Sequence, residues 1–420
     1  EIMISVSALG AVVGLIVAIV LIIKKINPAY SLILGSIIGG LVGGASVSQT
    51  VSLMISGAQG MIPAILRIIT AGVLAGVLIE TGAASKIAET IIEKLGESKA
   101  IVAIVLSTMI LTMVGVFIDV SVITVAPIAM AIAKRTNLSR TGVLVAMIGG
   151  GKAGNIMSPN PNAIAAADAF KIPLTSVMTA GIIPAVFGIV VTIIVAKIIS
   201  NRGSQILDND LGDKKLEKRP SFIGAIIGPI VAIFILALRP IAGISIDPLI
   251  ALPVGGAIGC LAMGKIKHFN EYCVFGLGKM IGVAILLIGT GTLSGIIANS
   301  ALKEVLTNFL STTGAPAYLL APFSGILMCA ATASTTSGTA VASQVFGPTI
   351  LSLGVQPINA AAMIHSGATV LDHLPHGSFF HATGGSVNMD MKERLTLIPF
   401  ESLIGLILTF VSTIIYGMLF

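Results

Sequence analysis

Apolar residues in this chain come in blocks as long as a bilayer is thick, and short polar runs punctuate them. From Ile101 to Ala133 the only charged residue is Asp119, and from Val305 to Met389 the only one is Asp372. A hydrocarbon core takes about 20 apolar residues per spanning helix, so these blocks belong in lipid. The period-two alternation of a membrane β-barrel is absent. The pattern predicts helices at 3–23, 28–45 and 61–80, an amphipathic surface helix at 84–96, an apolar pair at 100–133, a broken segment at 141–170 and a helix at 176–200. After the hydrophilic linker 201–220 the same order returns: 221–238, 246–264, 279–299, 301–312, 316–350, 351–389 and 395–419. The first apolar stretch, Met3 to Ile23, is long enough to stay as a helix rather than act as a cleaved signal.

The two halves also match residue by residue. Gly57, Met61, Ile62, Gly72, Leu74 and Gly76 align with Gly276, Met280, Ile281, Gly291, Leu293 and Gly295 at one gap-free offset. If 100–133 and 316–350 are re-entrant hairpins, each half crosses the membrane an odd number of times and the halves are inverted. With the N-terminus outside, 19 of the 24 Lys and Arg fall on the cytoplasmic side, as the positive-inside rule prefers. Arg67 and Lys152 then lie within the membrane, and Lys279 and Arg394 fall on the cytoplasmic side. The expected fold is an all-α polytopic membrane protein. A first inverted repeat (1–200), a cytoplasmic linker (201–220) and a second repeat (221–420) each carry their share. Each repeat holds about five transmembrane helices plus one re-entrant hairpin, with broken helices at the midplane.

Composition narrows the class. Of 420 residues 55% are hydrophobic and 10% charged, with mean hydropathy +1.05. A soluble domain carries about 25% charged residues, which argues against a soluble enzyme. The net charge of +6 reflects basic loops rather than nucleic-acid binding. Gly-x-x-x-Gly spacings at Gly40/Gly44, Gly72/Gly76 and Gly291/Gly295 suit close helix contact. The three Cys form no metal or redox motif.

Four polar runs interrupt the apolar blocks: Val116–Thr124, Gly149–Asn162, Thr332–Ser343 and His365–His381. Irregular backbone at membrane depth survives where it lines a cavity, and broken helices aim their N-terminal amides at an anion. The candidate substrate ligands are Ser121, Thr124, Lys152, Asn155, Ser158, Asn160, Asn162, Ser334, Thr335, Thr336, Ser337, His373, His376 and Ser378. Hydroxyls and amides of this kind suit a polyhydroxylated substrate. The Gly-rich run before Lys152 is no phosphate loop, because Ala153 follows the lysine. Lys152 either balances a substrate carboxylate or forms a structural ion pair. Asp119 and Asp372, with His373, are the candidate proton-coupling groups; the alternative is that the acids pin the fold. Pro375 between His373 and His376, with no Cys nearby, argues against metal, and no cofactor is expected.

The segment Phe117–Ser139 resembles the Asp-Val segment of the gluconate permease (GntP) family of gluconate:proton symporters. Ser158–Val186 is similar to that family's proline-rich loop and following helix, His373–Phe380 to its His-rich region and Ala331–Ser343 to its Ser/Thr-rich stretch. The chain departs from the family at Asn160, where His is usual, and at His376, where Asp is usual. The resemblance implies transport of gluconate, other sugar acids, glycerate or D-serine. The wider ion-transporter superfamily implies inverted repeats, two hairpins and a homodimer. The expectation is proton-coupled uptake of a small hydroxy-carboxylate across the inner membrane, with a cation/proton antiporter or another organic-acid permease as alternatives.

Overall fold

The structure is a computed structural model that describes residues 6–210 and 219–419. The described chain is helical apart from one isolated bridge, Val6 to Ser300. In the first half, α1 (Ala8–Ile23), α2 (Pro28–Val42), α3 (Val47–Gln59) and α4 (Ile62–Glu80) precede the surface helix α5 (Ala83–Leu95). Then come α6 (Ala100–Met113), α7 (Ile118–Arg135), α8 (Arg140–Asn155), α9 (Pro161–Ala169), α10 (Leu174–Ala180) and α11 (Ile182–Ile199). The second half runs α12 (Phe222–Ala242), α13 (Pro248–Ala262), α14 (Phe269–Ala298), α15 (Leu302–Thr313), α16 (Leu320–Thr332) and α17 (Thr335–Ser352). It closes with α18 (Pro357–Gly367), α19 (Ser378–Ser386), α20 (Met391–Leu395) and α21 (Ile398–Thr413). Residues 3–5 of the first expected helix and 211–218 of the linker, with Lys214, Lys215 and Lys218, lie outside the described residues.

Three differences from the sequence expectation matter. The segment 46–60 was expected as a connection and forms α3, which starts in a capping box between Ser46 and Gln49. The helix expected at 279–299 begins ten residues earlier. At 30 residues, α14 is about 45 Å long and exceeds the roughly 30 Å core, so Lys279 sits ten residues inside the helix rather than at its start. The single helix expected at 176–200 is split at Gly181.

Among the described residues five helical stretches are long and apolar enough to cross a membrane, α4, α12 and α14 among them. The helices α6 and α16 have 14 and 13 residues. They reach only about 20 Å, too little to cross alone. Each ends in a sharp turn: Gly115 has φ +105° and Ala333 φ +46°. The starts of α7 and α17, of α8 and α18, and of α9 and α19 are all separated by one constant number of residues.

The matching glycines turn out to touch one another. Segment 57–76 runs antiparallel to α14. A Cβ on Gly72 would lie 2.9 Å from the Gly276 carbonyl oxygen and 2.8 Å from the Met280 side chain. Exchanging each residue for its partner in the other half gives Gly291, Gly57 and Met61. A Cβ on Gly291 would lie 2.7 Å from each of those two. Backbone-to-backbone contact leaves no room for a side chain, so Gly72→Leu and Gly276→Leu should each destabilise by about 3 kcal/mol. Gly278, on the same helix, faces open space, and Gly278→Leu should be nearly neutral. Apparent melting temperatures in detergent check this, and equal losses at all three positions would remove the packing explanation.

Candidate functional site

Four helix starts meet around a cavity of about 300 Å³. Asn27 caps α2, its Oδ1 accepting from the Ala29 N–H at 3.0 Å, and Pro28 takes the first turn, where a missing N–H loses nothing. Ser334 caps α17 through the Ser337 N–H at 3.2 Å. The starts of α7 and α19 supply Ile118, Asp119, Ser378 and Phe379. The positive ends of four helix dipoles thus face one small space.

Of the residues singled out in the sequence, Asp119, Asn155, Asn162, Ser334, Thr335, Thr336, Ser337, Asp372 and Ser378 line this cavity. They come from all four polar runs of the sequence. Asn155 is buried, and its Nδ2 has no protein partner. Its Oδ1 is committed to the Asn160 amide at 2.6 Å, which leaves Nδ2 as the open donor. Thr336 Oγ1 donates to Asn162 Oδ1 at 2.6 Å. Asp119 accepts the Val120 N–H at 2.9 Å, and no cation pairs with it among the described residues.

Other candidates are not in the cavity wall. Asn160 caps α9 by accepting from the Ala163 N–H at 3.0 Å, so it holds the broken helix together. The ring of His376 meets the Ala331 carbonyl at 3.1 Å. Ser121 and Ser158 are buried away from the cavity, and Thr124 lies further along α7. Of the two roles open to Lys152, the structure shows the ion pair. Its fully buried Nζ donates to Asp372 Oδ1 at 2.5 Å and to the Thr369 carbonyl, and lies 3.1 Å from His373 Nδ1. It reaches the cavity only through Asp372, whose Oδ2 accepts the Thr335 hydroxyl at 2.7 Å.

Behind Asp372 the polar chain continues into residues that the sequence did not flag. His373 Nδ1 lies 3.0 Å from Asp372 Oδ1 and 3.7 Å from Glu401 Oε2. Glu401 is fully buried and bound in two places by Arg394, itself 1% exposed. Arg394, expected on the cytoplasmic side, is therefore inside the protein: α20 is one short turn and folds it back under α21. Its guanidinium also stacks 4.5 Å over the Phe380 ring.

A second cavity of about 900 Å³ lies elsewhere, around Arg67. Arg67, expected within the membrane, pairs there with Asp168 of α9 and at 2.7 Å with Asp247, the cap of α13. The hydrogen bonds from Arg67 hold the Asp247 carboxyl below the usual carboxylate range.

The profile of the GntP family permeases matches residues 6–419. The chain belongs to the GntP permease family. A relative in Haemophilus influenzae, described as an uncharacterized transporter, is 62% identical over 361 residues, which is 86% of each chain. Two solved transporters share the fold of this GntP permease at 13% identity. They are YdaH of Alcanivorax borkumensis (TM-score 0.62, 87% of each chain) and MtrF of Neisseria gonorrhoeae (TM-score 0.60, 89% of this chain and 85% of that one). MtrF is described as one of a class of antimetabolite efflux pumps. The permease is thus an all-helical, multi-pass membrane transporter for a small molecule, and not an enzyme.

Proposed function

We propose that this permease imports a small hydroxy-carboxylate together with a proton across the inner cell membrane, gluconate or a related sugar acid first and glycerate next. The observation that carries this is the convergence of four helix N-termini on a cavity that also holds the open Asn155 donor. Amide dipoles and a buried donor replace the hydration an anion loses on leaving water. The hydroxyls of Ser334, Thr335, Thr336, Ser337 and Ser378 suit a polyol chain. A volume of about 300 Å³ is at the lower end for ligand sites, which favours a small substrate. Asp119 and the pair Asp372–His373 carry the proton coupling. An antiporter of two cations would use clustered bare carboxylates, whereas Asp372 is already paired with Lys152.

The same reading makes residues 1–200 and 221–420 inverted repeats with two re-entrant hairpins, in a homodimer. The glycine contacts that map onto each other when the halves are exchanged support the inversion. Labelled gluconate uptake into proteoliposomes under an imposed inward proton gradient tests the function. Uptake should follow the pH gradient more than the voltage, because one proton with one monoanion is electroneutral. Glycerate and other 2-hydroxy monocarboxylates should compete, whereas a dicarboxylate should not, since no Lys or Arg lines the cavity among the described residues to balance a second charge. Competition by citrate, succinate or a neutral sugar at equal strength would count against the proposed site.

A further inference from the structure

We infer that the second cavity, around Arg67, is an antechamber that collects a small organic anion at the outer end of the transport path. That the anion is the transported hydroxy-carboxylate rests on the function proposed above; the preference for anions does not.

The two cavities share three helices. α14 lines the first with Gly282, Ile285 and Leu286 and the second with Ser294, Ala298 and Asn299. Leu286 and Ser294 stand two turns apart on this helix, a rise of about 12 Å. Across from α14, α17 gives Ser334 to Ser337 to the first cavity and Gln344 to the second. α9 gives Asn162 to the first and Asp168 to the second. The Ser294 hydroxyl donates to the Gln344 carbonyl at 2.8 Å, so α14 and α17 touch at the second cavity. The cavities therefore stand in line along one seam, and a path that follows the seam meets both.

Charge decides what the second cavity attracts. Arg67, Lys171 and Arg239 line it, against Asp168 and Asp247. Arg67 is already bound by both carboxylates, a triad with one net negative charge. Lys171 and Arg239 are exposed and form no ion pair among the described residues, so together they outweigh the triad. With the N-terminus outside, both are among the few basic residues on the outer side. A cleft with one excess sign raises the local concentration of the opposite charge. At about 900 Å³ against about 300 Å³, the second cavity has room for an anion that still carries water, whereas the inner one is of ligand size.

A thiol placed in the cavity reads its charge without any substrate. In full-length protein with Cys260, Cys273 and Cys329 changed to Ala, Ser294→Cys supplies one such thiol and Thr175→Cys a second, independent one. The probes are methanethiosulfonate reagents that carry a sulfonate, a trimethylammonium or a neutral hydroxyl group. Each rate in nanodiscs is divided by that reagent's rate with a small free thiol. The anion-to-cation ratio should be about five at about 10 mM salt and fall toward one at about 1 M. In the double variant Lys171→Gln/Arg239→Gln only the triad's negative charge is left, and the ratio should drop below one. The neutral reagent should keep its rate within about twofold, whereas a disturbed fold would move all three rates together. A ratio near one with both cations present, a ratio that the double variant leaves unchanged, or three rates that move together would overturn the inference. Gluconate uptake by right-side-out membrane vesicles separates the two claims. The double variant should raise KM about threefold at low salt, with the maximal rate within about twofold. An unchanged KM would take the cavity off the path and overturn the inference. If the wild type takes up no gluconate, the proposed substrate falls and the thiol ratio alone decides the antechamber.

Discussion

Asp119→Asn is expected to abolish accumulation driven by a pH gradient while substrate exchange survives. Asp119 stands in the first turn of α7, half-buried in the cavity wall, where the Val120 N–H is its hydrogen-bond donor and no cation pairs with it among the described residues. An anion drawn to the four helix N-termini comes close to this carboxylate. Two like charges about 4 Å apart repel by about 4 kcal/mol at an effective dielectric constant of 20, roughly a thousandfold in affinity. A proton on Asp119 removes the repulsion and turns the carboxylate into a hydrogen-bond donor. Anion and proton then bind together because each makes room for the other, and the linkage is reciprocal. Asparagine is a permanent imitation of the protonated state. The variant should exchange labelled for unlabelled gluconate within about threefold of the wild-type rate, yet show less than about a tenth of the pH-driven accumulation. Wild-type accumulation by Asp119→Asn in proteoliposomes would take this acid out of the mechanism.

Most of the helical order was visible in the sequence because bilayer insertion leaves a coarse signature: block length, polar punctuation and the halves' common offset. What escaped it was decided by contacts rather than by hydropathy. The α3 segment, VSQTVSLMISGAQ, carries too many hydroxyls and amides to resemble a span, although the Ser46–Gln49 capping box was a local sign of a helix start. The early start of α14 was hidden by Glu271 and Lys279, which break the apolar run without breaking the helix.

At the site, the logic of burial cost singled out the isolated acids Asp119 and Asp372, and both line the cavity. It also found Lys152 but not the partner 220 residues away that accounts for its charge. Arg394 and Glu401 were missed because KERLTLIPFES reads as an ordinary charged edge next to a helix. Only the fold shows that the turn between α20 and α21 buries both. Asn27 was not singled out in the sequence; besides capping α2 it shares the cavity wall with the starts of α7 and α17, far away along the chain.

Lys152→Met should be the most damaging single substitution in the chain. The lysine is fully buried, and its ammonium is shared by the Asp372 carboxylate, the Thr369 carbonyl and His373 Nδ1. Methionine fills much the same space, so packing changes little. What changes is Asp372, left as a buried carboxylate with the Thr335 hydroxyl as its remaining cavity-side donor and His373 at 3.0 Å. Removing one partner of a buried pair costs about 3–5 kcal/mol, a large share of the 5–15 kcal/mol that hold a typical protein together. The expected result is a fall in the yield of monodisperse protein in detergent and a lower apparent melting temperature. The double variant Lys152→Met/Asp372→Asn removes the stranded charge as well and should recover most of the stability, since replacing both partners of a buried pair is often close to neutral. It should not recover pH-driven uptake, because the double variant lacks the Lys152–Asp372 pair beside His373. Size-exclusion profiles and thermal unfolding, run beside gluconate uptake, separate the two effects. A Lys152→Met protein as stable as the wild type would mean that Asp372 does not need its cation, and the buried pair would then be neither the structural clamp nor the charge cluster described here.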